Sequence, residues 1–103
     1  MNKSVLLLSI LFLAGCATEV AKTPVATGGS RADASVEMSF DRGLFEAPVV
    51  DWTAAEQSAL KRCRAWGYGN VSAFEGLRTQ CQQYDPNFGC VLETITRTYQ
   101  CTN

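Results

Sequence analysis

The sequence predicts a small α+β fold: an antiparallel sheet of about three strands, in the order β-α-β-β, covered by one main helix and stapled by two disulfides. Three observations predict it. "ASVEMSF" alternates apolar and polar residues, as a half-buried strand does. "TAAEQSALKRCRAWGY" sets Ala55, Ala59, Cys63 and Trp66 three or four apart, which makes one stripe of a helix. "LRTQCQQY" and "CVLETITRTYQC" flank the turn cluster "DPNFG", as the two arms of a hairpin do.

The chain begins with Lys3 and an apolar run from Val5 to Ala14, broken only by Ser9. The run is about 10 residues, and a bilayer core needs about 20. It has the shape of a secretory signal at residues 1–15. Leu13-Ala14-Gly15-Cys16 looks like a bacterial lipobox. In that resemblance Cys16 takes a diacylglyceryl group through its sulfur, and the chain is cut before it. Several acyl chains, at about 0.8 kcal/mol per buried CH₂, make a stable anchor where one is marginal. Ala17 stands where lipoproteins kept at the inner membrane often carry Asp, which favours the outer membrane.

Residues 16–30, "CATEVAKTPVATGGS", show no apolar period and read as a lipidated flexible tether. Such a coil would hold the folded part about 20 Å from the membrane. The folded domain is expected over residues 31–103. Its first strand puts Ala34, Val36, Met38 and Phe40 on one side. "DRG" turns the chain, and Pro48 demotes "LFEAPVVDW" to an edge or an extended connection. Thr53 with Glu56 forms a capping box at the start of the helix, and Gly67 suits a left-handed stop. Ser72 with Glu75 offers a second capping box and about one helical turn. In the last strand Val91, Ile95, Tyr99 and Cys101 share one face, which the helix stripe should cover.

Four of the five cysteines remain after Cys16. An even number in an exported small domain implies disulfides. Cys63 lies on the helix stripe and Cys101 on the facing strand, while Cys81 and Cys90 flank the hairpin loop. A nested pairing, Cys63–Cys101 with Cys81–Cys90, is favoured, and the two other pairings stay open.

With both ends in view the chain resembles the YecR-like lipoprotein family. The residues that carry this are the lipobox, "GGSRAD" at Gly28 to Asp33, "FEAPVVDW" at Phe45 to Trp52 and "RCRAWGY" at Arg62 to Tyr68. Cys81, Gly89-Cys90 and "YQC" at Tyr99 to Cys101 complete the series. The one departure is Glu75-Gly76 after Phe74, where two glycines are expected. The resemblance implies a small, secreted, lipid-anchored protein in an envelope context. It brings no catalytic residues.

The chemistry open to the chain is narrow. The formal net charge is −1, and no His is present. That argues against nucleic acid, which selects for a basic face, and removes His-based triads and His metal sites. No C-x-x-C pair exists, so neither a zinc site nor thiol exchange is expected. The carboxylates are scattered. No catalytic residue, metal or cofactor is expected, and the chain reads as a non-enzyme. Lys61, Arg62 and Arg64 read as the solvated side of the helix, with anionic lipid or peptidoglycan contact as the alternative. Tyr68, Tyr84 and Phe88, near loops, are the candidate contact residues, because interfaces favour aromatics. The expected partners are the membrane, through lipid on Cys16, and an outer-membrane protein. The expected function is a binding or structural module at the periplasmic face of the outer membrane. The alternative is a phage- or prophage-type lipoprotein that occupies an outer-membrane receptor.

Overall fold

The computed structural model describes residues 17–74 and 76–103. The expected signal peptide at residues 1–15, the expected lipidation site Cys16 and the Glu75 half of the expected second capping box lie outside the described residues. The described chain runs β1 (Thr18–Lys22), β2 (Val25–Ser30), β3 (Ser35–Gly43), β4 (Glu46–Val50), α1 (Trp52–Ala65), β5 (Asn70–Ala73), β6 (Arg78–Asp85) and β7 (Gly89–Thr102). The α+β expectation of about three strands is therefore corrected. Among the described residues, seven strands in two sheets and one helix make a chiefly β fold.

Strand β7 organises the larger sheet. It pairs antiparallel with β3 along one edge, from Ser35 opposite Gln100 to Gly43 opposite Leu92. Its other edge is shared: β6 takes the first half and β5 the last four residues. Strand β2 closes the outer side of β3. The second sheet is a parallel pair, β1 with β4. Pro48 sits in β4, at an edge, as its missing N–H requires.

Three segments differ from expectation for one reason. Residues 16–30 read as a tether, yet over their described part they form β1 and β2. Ser72 read as a helix cap, yet it lies in β5 opposite Gln100. These strands are short and poor in β-formers. Their conformation is imposed by partners distant in sequence, which local composition does not record. The glycines that suggested flexibility serve close approach instead. At Gly29, with φ of +118°, a Cβ would lie 2.3 Å from the Ser35 carbonyl oxygen.

Helix α1 lies on one face of the larger sheet. Ala55, Ala59 and Cys63 are fully buried, as the stripe predicts. They meet Val36, Met38, Val71, Tyr99 and Cys101, with Trp52, Leu60, Trp66 and Tyr68 packed around them. The small alanines let the helix axis approach the sheet closely. The cap residue differs from expectation: Asp51, not Thr53, accepts the Ala54 N–H at 2.9 Å. The chain leaves β4 at Val50, so the helix starts as soon as a capping oxygen is available. It ends as expected. The Tyr68 N–H bonds the Cys63 carbonyl and the Gly67 N–H bonds the Arg64 carbonyl, each at 3.0 Å, with Gly67 left-handed.

Candidate functional site

The four cysteines form the nested pair of disulfides. Cys63 joins Cys101 with Cα atoms 5.4 Å apart, and Cys81 joins Cys90 at 5.9 Å. Cys63 and Cys101 are buried in the core. Their bond ties the end of α1 to the end of β7. The second disulfide ties the arms of the β6–β7 hairpin next to its tip.

That tip is held from inside. One oxygen of the Asp85 carboxylate, Oδ1, accepts the backbone N–H of Asn87 at 2.7 Å and of Phe88 at 3.2 Å. Gly89 takes the left-handed conformation, with φ of +82°, that closes the turn. Tyr84 pairs with Cys90 and Asp85 with Gly89. On this frame Tyr84 is 72% exposed and Phe88 66%. A ring left that far in water gives the fold little, so both are free to meet something else.

The third expected contact residue is elsewhere. Tyr68 follows the helix stop, is half-buried, and packs against the core. Its neighbour Gly69 bonds the Thr102 carbonyl. Thr102 and Cys90 are at opposite ends of β7, roughly 40 Å apart at 3.3 Å per residue. The structure brings Tyr84 and Phe88 together and leaves Tyr68 out. Lys61, Arg62 and Arg64 are exposed in the second half of the helix, on Tyr68's side of the molecule.

Two residues of the stretch read from the sequence as an edge or an extended connection belong beside the tip. Leu44 and Phe45 form the β3–β4 turn, 37% and 68% exposed. The Leu44 N–H bonds the Val91 carbonyl at 3.1 Å, which fixes the turn one residue from Cys90. The signal was present in "DRGLFE": two large apolar residues directly after turn formers, where no strand has yet begun.

The chain's N-terminal side reaches the same place. The Thr18 N–H bonds the Phe45 carbonyl at 3.0 Å, and Thr18 pairs with Glu46. Glu46 secures the turn: its Oε1 accepts the Gly43 N–H at 2.7 Å and sits 3.1 Å from the Lys22 ammonium. The Gly43 bond, then the Lys22 partner, hold its carboxyl below the usual glutamate range. Arg42 pairs with Glu93 at 2.8 Å close by.

The face of the larger sheet away from the helix is polar. Ser39 Oγ is 2.7 Å from Thr27 Oγ1 and 2.7 Å from Thr96 Oγ1, a chain of hydroxyls across three strands. Arg78 pairs with Glu37 on that face. A shallow groove of about 290 Å³ beside it is lined by Phe74, Gly76, Leu77, Arg78, Thr96 and Thr98. No group of three or more His, Cys, Asp or Glu side chains able to hold a metal lies among the described residues.

The model of the YecR-like lipoprotein family matches residues 23–102. A comparison with curated proteins finds no match. The family match covers β2 to β7 with both disulfides and the hairpin tip, well over half of the chain. The chain belongs to the YecR-like lipoprotein family.

Proposed function

We propose that this bacterial lipoprotein is a non-enzymatic contact module. It is anchored through lipid on Cys16 to the outer membrane, with its folded domain in the periplasm, and it acts through the β6–β7 hairpin tip. One observation carries the reading: Tyr84 and Phe88 stand exposed on a tip that a disulfide and an Asp85 turn hold in place. A loop ordered before binding loses less conformational entropy on contact. The sequence supports the non-enzymatic part. It has no His, and its four downstream cysteines are joined in pairs. The residue after the anchor, Ala17, supports the outer membrane.

Photocrosslinking in intact cells tests this. A photoreactive residue at Phe88 should capture an envelope component that the same residue at Lys61, on the helix, does not. The reading fails if Phe88 captures nothing and the Tyr84→Ala, Phe88→Ala double variant leaves the cellular phenotype unchanged.

A further inference from the structure

We propose that one end of the larger sheet, built from Leu44, Phe45, Tyr84 and Phe88, seats in the interfacial layer of the membrane that holds the anchor. This names the partner of the hairpin tip and rests on the reading of Cys16 as the lipidated residue.

The argument begins with chain length. Cys16 precedes Thr18 by two residues, which span roughly 7 Å at most. Thr18 is bonded to Phe45. Strand β1 runs parallel to β4, away from this end, so the chain enters the fold here and nowhere else. A lipid on Cys16 therefore leaves no slack, and the first surface to meet the bilayer is the one around Phe45.

That surface has the chemistry of an interfacial contact. The β3–β4 connection and the tip of the β6–β7 hairpin supply four large apolar side chains, all at least one-third exposed. Strands β3 and β6 flank β7 on opposite edges, which puts the two turns about 10 Å apart. Tyr and Phe rings at headgroup depth bury an apolar body, and tyrosine keeps its hydroxyl wet. Three carboxylates nearby are already engaged: Glu46 with Lys22, Glu93 with Arg42, and Asp85 with two backbone N–H groups. Glu19, exposed beside Thr18, stays charged without cost only at the hydrated headgroup level, which limits the seating to the interfacial layer. The carboxylates at this end, Asp85 and Glu46, are taken up in holding the turns rather than offered to a partner.

The test uses the mature, natively lipidated protein in vesicles of phosphatidylethanolamine and phosphatidylglycerol. A fluorescent amino acid replaces Phe45, Phe88 or, as a reference, Lys61. Lipids brominated along their acyl chains quench whatever touches them. The expected result is loss of emission at positions 45 and 88 and none at position 61. Vesicle-bound protein with all three positions unquenched would overturn the seating and leave the anchor intact. Emission lost at 88 only in native membranes, with a protein crosslink there, would overturn it in favour of a protein partner. Mature protein without lipid, which fails to float with vesicles, would overturn both this inference and the anchoring reading.

Discussion

Ser39 is 3% exposed and hydrogen-bonds on both sides, to Thr27 and to Thr96. Removing its hydroxyl leaves the buried Thr96 short of a bond, at about 1–3 kcal/mol if left unpaired, while the exposed Thr27 can turn to water. Ser39→Ala should destabilise the domain by about 2 kcal/mol in urea melts. A Thr27→Ala variant should cost less, since Ser39 keeps its bond to Thr96. Glu46 predicts a pH effect. Its carboxyl titrates lower in the folded protein than in the unfolded chain, so its contribution is complete above the usual glutamate range. That contribution is lost as pH falls through the lowered value. Melting temperatures followed from neutral to acid pH should fall less steeply for Glu46→Gln than for the natural protein. Trp52 joins two groups: its ring meets Phe40 edge-on at 5.9 Å and carries the Arg97 guanidinium 4.4 Å above it. The sequence places Trp52 at the end of an apolar stretch and in the family series, but a cation–π pair across 45 residues has no local signature.

At the scale of elements, the helix and the β6–β7 hairpin were legible because both are written locally. The stripe Ala55-Ala59-Cys63 is fixed by helical spacing, and the Asp-Pro-Asn-Phe-Gly turn joins arms that are neighbours in sequence. Strands β1, β2 and β5 were not legible. Thr18–Lys22 and Asn70–Ala73 are extended because β4 and β7 are there to pair with them. The helix cap was misplaced by two residues because Asp51 and Thr53 are both good caps, and only the exit from β4 decides between them. The buried alanines give a direct test of helix docking. Ala59→Leu inserts three carbons where the helix touches the sheet, and overpacking of this kind costs about 1–3 kcal/mol. Thermal unfolding should register that loss, whereas Lys61→Leu on the outer face should leave stability within about 0.5 kcal/mol. The disulfides should rank by the loop they close. Cys63 and Cys101 are 38 residues apart and Cys81 and Cys90 are 9 apart. Chain-entropy estimates give roughly 4 and 2.5 kcal/mol. Paired Cys→Ala variants in denaturant melts should follow that order, with the larger loss at the buried pair.

Across the whole molecule, strand β7 is a rod with different business at its two ends. At the Cys101 end a buried disulfide, α1 and Tyr68 build the core. At the Gly89 end the chain enters beside Phe45 and the stapled tip stands out. The sequence led to the expectation of an anchor at Cys16 and of contact residues among the aromatics near loops. It did not show that Tyr68 would fall on the far side of the molecule, nor that Leu44 and Phe45 would join Tyr84 and Phe88. Strand pairing makes those placements, through partners as distant in sequence as Asn70 with Thr102 and Gly43 with Leu92. Everything argued for this end depends on lipid at one sulfur atom. The most direct measurement is labelled palmitate uptake with membrane fractionation, comparing the natural protein with Cys16→Ser. The account predicts label and outer-membrane recovery for the natural protein. The Cys16→Ser chain, whose oxygen cannot form the thioether, should remain an unlabelled, uncut precursor. A Cys16→Ser protein that is still labelled, cut and recovered in the outer membrane would contradict the account.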